Sequence, residues 1–277
     1  MKTACRVALT IVFLTVLGCR NFSASSPAQE AERFGITDSP GDHPIVGRAV
    51  ATTSTVLGTQ STVRISAGWT ENNSKASFNV YAAMPTGFGQ NEIMASYEEC
   101  ACIVVQKAAL SGWLKTHLGT NDVLLGMDTQ NLLAYMLLHE AGHISEWNKT
   151  QTASRKDSAS QVSQKAMEIA ADEFAGNAIA RALDAKGSER GVAAAKLAMT
   201  LSQLSWNLSA HRLLDNFGGT ILNKPSLFGD SGLSHPNLEW RILSVNAAIT
   251  KSEAARQILD DFERRRNGDT GYHLFPR

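Results

Sequence analysis

LLHEAGHISEW, residues 137–147, sets His139 and His143 four positions apart around Glu140. On a helix, residues four apart lie one turn from each other on the same face. Two imidazoles at that spacing can share one tetrahedral Zn2+, and a carboxylate beside them can take a proton from a metal-bound water. A helix that merely buries two histidines carries the same pattern. What else the chain offers to complete a site decides between the two readings. The stripe Leu132, Met136, His139, His143 turns both histidines toward an apolar interior. An unpaired polar ring is costly there, and a metal would satisfy it.

Outward from this stretch, the 277 residues suffice for one large domain or two small ones. A hydrophobic content of 43% with 19% charged residues is that of a folded protein. The formal net charge of zero argues against a nucleic-acid or polyanion binder, which needs a basic surface.

The start of the chain reads as an export signal. Lys2 and Arg6 precede VALTIVFLTVLG, residues 7–18, which is too short to span a bilayer as a stable helix. Cys19 follows at once, so residues 1–18 resemble a bacterial lipoprotein signal with Cys19 as the lipid-bearing residue. An ordinary cleaved signal with an incidental cysteine is the alternative. Arg20, rather than an aspartate, favours the outer membrane. The expectation is a lipid-anchored protein on the periplasmic face of the outer membrane. Residues 19–45, rich in Ser, Pro, Gly and Asp, read as a flexible tether, and 46–277 as the folded domain. Of the four cysteines, Cys5 would leave with the signal, and Cys100 and Cys102 remain. A bridge between residues two apart on a strand is strained, so both are expected to be small buried side chains. A redox or metal role is the lesser alternative.

From about residue 46 to 105 the chain reads as short strands, among them STVRIS (61–66), SFNVYAA (77–83), NEIMAS (91–96) and CACIVV (100–105). After Lys107 the pattern turns helical. KAALSGWLKTHL (107–118) predicts a short helix, and Asp128 a cap for a longer one over 129–147. NKTQTASRKDSAS (148–160) reads as a polar surface loop that, like 217–234, could gate access. Further helices are predicted over 161–185, 191–217, 237–250 and 252–266. Strands followed by helices predict an α+β fold, predominantly helical, with a small N-terminal antiparallel sheet packed on the helices.

A zinc hydrolase needs a third protein ligand and an open position. Glu168 in EIAADEFAG (168–176) is the candidate. Glu168, Asp172, Ala175 and Ile179 share one helical face, and two acids heading an apolar stripe are odd for a solvated surface. A ligand at Glu168 and an acceptor at Asp172 that orients one histidine explain the pattern. Exposure of both acids on an alanine-rich helix is the plainer alternative. In SHPNLEWRI, His235 precedes a proline and Arg241 follows at a helix start. By themselves these are an ordinary loop histidine and surface arginine.

Taken together, His139-Glu140-x-x-His143, Glu168-x-x-x-Asp172, and His235-Pro236 with Arg241-Ile242 closely resemble the gluzincin metalloendopeptidase family of HtpX, the Oma-type and the CAAX prenyl proteases. NVYAAMPTGFGQ (79–90) is similar to that family's segment leading into the strand beside the active site. The resemblance covers residues 79–243. It implies one zinc held by His139, His143 and Glu168, Glu140 as general base, and Asp172 orienting a ligand histidine. It also implies that His235 and Arg241 stabilise the oxyanion, with His235 able in some members to cap the metal. The sequence departs from the pattern in two respects. Only residues 144–167 separate His143 from Glu168, which is short, and there are no membrane spans like those of HtpX.

The expected activity is zinc-dependent hydrolysis of peptide bonds in unfolded or misassembled envelope proteins. The substrate would add itself to the sheet along an edge strand near CACIVV. Two other classes stay open: an envelope lipoprotein that assists outer-membrane protein assembly around a latent or structural zinc, and a zinc hydrolase of another bond such as a cell-wall amide.

Overall fold

The computed structural model describes residues 44–59, 61, 63–67, 77–83, 94–97, 102–106, 127–153, 164–217 and 236–268. The signal and tether expectations for residues 1–43, with Cys19, lie outside them. So do Cys100, the helix expected over 107–118, the loop residues 154–160 and 218–234, and His235.

The first described element was not anticipated. Helix α1, Pro44–Leu57, stands where strands were expected, and it begins inside the stretch read as tether. Its valines and threonines favour strands by propensity because branching at Cβ restricts their rotamers in a helix. Tertiary burial overrides that preference. Val46, Ala49, Val50, Thr53, Val56 and Leu57 are buried at helical spacing. Pro44 sits at the first helical position, where its missing N–H costs nothing. The Thr53 hydroxyl donates to the Ala134 carbonyl at 3.1 Å and joins α1 to the histidine-bearing helix.

Four strands follow: β1 Arg64–Ala67, β2 Ser77–Ala83, β3 Met94–Tyr97 and β4 Cys102–Gln106. They form one sheet in the order β1-β2-β4-β3. The expected antiparallel sheet is corrected to a mixed one: β1 and β2 pair in parallel, as do β2 and β4, and only β3 runs antiparallel to β4. Runs of four to seven residues carry no mark of direction. The path of the connections sets it.

The expected edge strand is also corrected. β4 pairs with β2 on one side and β3 on the other. Its residues Cys102, Ile103, Val104 and Val105 are all buried, and such a continuous apolar run marks a strand covered on both faces. Among the described residues the edges are β1 and β3, and β3 lies against the histidine-bearing helix. Cys102 is buried, as expected, and it is also disulfide-bonded, which goes beyond its reading as a small buried side chain.

Five helices complete the described chain: α2 Thr129–Ala153, α3 Gln164–Leu183, α4 Glu189–Phe217, α5 Leu238–Thr250 and α6 Glu253–Arg266. Helix dominates among the described residues. Asp128 caps α2 as expected, its carboxylate accepting from the Asn131 N–H at 3.1 Å. α2 runs six residues beyond Trp147, into the stretch expected to be a loop. Polar composition does not exclude helical backbone.

α2 packs against α1 and α3, and α5 packs against α3. Leu133, Leu137, Leu138 and Ile144 from α2 join Ala175, Ile179 from α3 and Ile242 from α5 in one core. Among the described residues, no helix is long and apolar enough to cross a membrane.

Candidate metal centre

The site lies where α2, α3 and α5 meet. α2 brings His139 and His143, α3 brings Glu168 and Asp172, and α5 brings Arg241. The two imidazoles stand edge to face, 4.6 Å between centroids and 86° between planes. Their Nε2 atoms are 3.0 Å apart. Glu168 reaches both: Oε2 lies 3.4 Å from His139 Nε2, and Oε1 lies 3.4 Å from His143 Nε2. A tetrahedral ion with bonds of about 2.0–2.1 Å has ligand–ligand edges of about 3.3–3.4 Å. The two Nε2 atoms and the Glu168 carboxylate, one oxygen toward each ring, converge at distances near those edges, and His139, His143 and Glu168 can hold a metal ion. A fourth, open position is what a catalytic site requires.

The approach of α2 to α3 depends on Gly142. A Cβ there would lie 2.6 Å from the Ala171 Cα and 2.7 Å from its carbonyl oxygen. Both belong to backbone, so the helices would have to part. Gly142→Ala is expected to cost about 1–3 kcal/mol by overpacking. It should also weaken metal binding by widening the gap between Glu168 and the histidines. Denaturation midpoints and a zinc titration on the same protein check both effects.

Behind the ligand face stands a polar network. His139 Nδ1 lies 2.9 Å from Asp172 Oδ1. With the proton on Nδ1 facing Asp172, the Nε2 lone pair is left for an ion. Arg241 meets Asp172 with two nitrogens, Nε to Oδ2 at 2.6 Å and Nη2 to Oδ1 at 3.1 Å. Its Nη1 lies 3.0 Å from Glu168 Oε2. Nη2 is also 3.3 Å from both ring nitrogens of His139, a placement against the ring rather than on either lone pair. All three guanidinium nitrogens thus face the network. The Tyr135 hydroxyl donates to Asp172 Oδ1 at 3.2 Å.

Tyr135 was not singled out in the sequence. The signal was available: it precedes His139 by four residues and so shares its face. Glu140 is half-buried beside His139, and its charge helps keep that ring protonated. His235 lies outside the described residues, so its place relative to the site is a sequence expectation; the adjoining Pro236 is buried.

Residues 129–212 match the family model Peptidase U49. The match contains His139, Glu140, His143, Glu168 and Asp172 and stops short of Arg241. It supports a peptidase. No curated protein and no solved structure matches the chain.

The electrostatics of this candidate peptidase site oppose burial to pairing. Burial pushes the His139 pKa down, but hydrogen bonds to Asp172 and Glu168 outweigh it and raise it to about 9. Burial pushes Glu168 up, but hydrogen bonds from His139 and His143 hold it well below the usual carboxylate range. Asp172 is likewise lowered, its burial outweighed by His139 and Arg241. Burial, reinforced by Asp172, raises Tyr135 far above the ordinary phenol value, so it stays a neutral donor.

These shifts predict how the metal-free protein responds to pH. The raised pKa of His139 contributes stability that is whole below about pH 6.5 and lost as pH rises through about 9. The lowered carboxylates contribute stability present above their ordinary values near 4 and lost in stronger acid. Denaturation midpoints in chelator should therefore peak between about pH 4.5 and 6.5. Metal affinity should rise with pH up to about 9, because an ion on His139 Nε2 must displace a proton.

Proposed function

We propose that this peptidase is a zinc endopeptidase of the gluzincin type, cutting unfolded or misassembled polypeptides in the bacterial envelope. The observation that carries the reading is the convergence of His139, His143 and Glu168, whose Nε2 atoms are 3.0 Å apart and each 3.4 Å from one of the two Glu168 oxygens. That convergence and the His2Glu donor set suit one zinc.

Zinc held there would supply a Lewis acid and lower the pKa of a water. Glu140 is the carboxylate beside the ligands that accepts the water's proton and returns it to the leaving amine. Asp172 holds His139 in the tautomer that directs Nε2 to the ligand face. Arg241 keeps Asp172 and Glu168 ionised from behind. An oxyanion contact by Arg241 would require it to leave those partners, so the reading gives that charge to His235 first.

The substrate strand in this reading is β3, Met94–Tyr97. Among the described residues it is paired on one side only, by β4, and it lies against α2. An extended peptide added to β3 runs past the helix that carries the histidines. This mode takes loose chain rather than folded surface, which accords with envelope quality control. The N-terminal segment, with lipid on Cys19, would tether the domain to the periplasmic face of the outer membrane.

The test is metal content and cleavage of an unfolded protein such as casein by the chain from residue 20. About one zinc per chain is expected, with cleavage abolished by a chelator and restored by zinc. Cleavage that survives complete removal of metal sinks the reading.

A further inference from the structure

Tyr135 has a ring that any apolar residue could replace and a hydroxyl that a core does not ask for. It is 6% exposed, inside the main core. A buried phenol needs a partner for its O–H, and phenylalanine packs without that demand. Here the hydroxyl donates to Asp172 Oδ1, the oxygen that also faces His139 Nδ1.

Asp172 is pulled from two sides. From α5, Arg241 holds both oxygens in a fork, the strongest kind of partner a carboxylate has. Left alone, that fork favours whatever orientation suits Arg241. From α2, Tyr135 and His139 are one turn apart and converge on Oδ1. His139 donates only in one tautomer, whereas the phenol donates always. Four donors reach the carboxylate, three of them at Oδ1 and one at Oδ2, so Oδ1 is the crowded oxygen where α2 and α5 meet.

We propose that Tyr135 is a positioning residue: it anchors Asp172 Oδ1 on the α2 side, so that Asp172 holds the His139 ring with Nε2 toward the ligand face. The inference rests on the metal-site part of the proposed function and assigns a role to a side chain outside the ligand set and the proton-transfer group.

The test uses the full chain and Tyr135→Phe, which keeps the ring and removes only the hydroxyl. Three quantities are read on both proteins: zinc affinity by chelator competition, the visible spectrum of the Co2+-loaded form, and the denaturation midpoint in chelator. Loss of a direct partner of a ligand histidine costs about 10–100-fold in metal affinity. Tyr135 acts one step further out and over a long 3.2 Å bond, so a loss of about 5-fold is expected. The Co2+ bands should shift, because the ligand ring is held less firmly.

Equal affinity within twofold and superimposable Co2+ spectra overturn the proposal, even if the midpoint falls, since packing alone would lower the midpoint. If wild type itself takes up no metal, the site reading and this inference fall together. If wild type binds metal but cuts nothing, the peptidase reading falls while the affinity ratio still decides the role of Tyr135.

Discussion

Glu140→Gln should retain about one zinc per chain and lose about 10²–10⁴-fold in cleavage rate. Glutamine matches glutamate in size, and Glu140 is not among the three donors that meet at the ligand face. The ligand geometry should therefore survive. What disappears is the only acid–base group that the His-Glu-x-x-His spacing sets beside both ligands. The variant should bind an unfolded substrate as wild type does, so the loss belongs in kcat and not in KM. Zinc by elemental analysis and a casein digest under identical conditions decide the matter. Cleavage at the wild-type rate removes Glu140 from the chemistry. Loss of zinc together with activity makes it a structural residue instead.

Arg241→Ala should produce the largest change in stability. The guanidinium is 13% exposed and holds Asp172 at 7% and Glu168 at 14%. Removing one partner of a buried ion pair strands the remaining charge and costs about 3–5 kcal/mol. For a domain of this size that lowers the melting temperature on the order of 10 °C. The sign of the metal effect is also set. Zinc would neutralise part of the charge on Glu168, so the loss should be greater in chelator than in the zinc-loaded protein. Arg241→Lys should recover only part of it, because an ammonium cannot meet Nε- and Nη-type contacts at once. A loss below about 1 kcal/mol would mean that Arg241 behaves as an exposed pair and that the network is solvated.

The candidate donor set was legible because its residues lie at helical spacings. His139 and His143, and separately Glu168 and Asp172, each fall four apart, and that local geometry needs no knowledge of the fold. Burial of Asp172, Ala175 and Ile179 along one face of α3 follows the stripe read from the sequence. Helices α3 to α6 begin and end within about three residues of expectation because their apolar periodicity is long and uninterrupted. α1 was missed because β-branched propensity and helical spacing disagree over Pro44–Leu57, and packing against α2 decides in favour of the helix.

The strands were located but not arranged. SFNVYAA coincides with β2, yet nothing in its seven residues reveals that it pairs in parallel with both β1 and β4. The edge strand was misplaced for the same reason: pairing is a relation between distant segments, and β3 becomes an edge only because β4 takes an inner place.

The sequence by itself determined which side chains share a helix face and so which chemistry each helix can carry: two imidazoles and a carboxylate on α2, two acids on α3. Only the tertiary structure decided that these faces meet, with Gly142 against the Ala171 backbone and donor atoms 3.0–3.4 Å from one another across the two helices and within α2. It also turned Arg241 inward onto Asp172 and Glu168, and gave the Tyr135 hydroxyl a carboxylate to hold. Helical periodicity is a local property of the backbone and is written in spacing. The approach of two helices, and the charge that must follow two buried acids, depends on residues tens of positions apart, and no spacing records it.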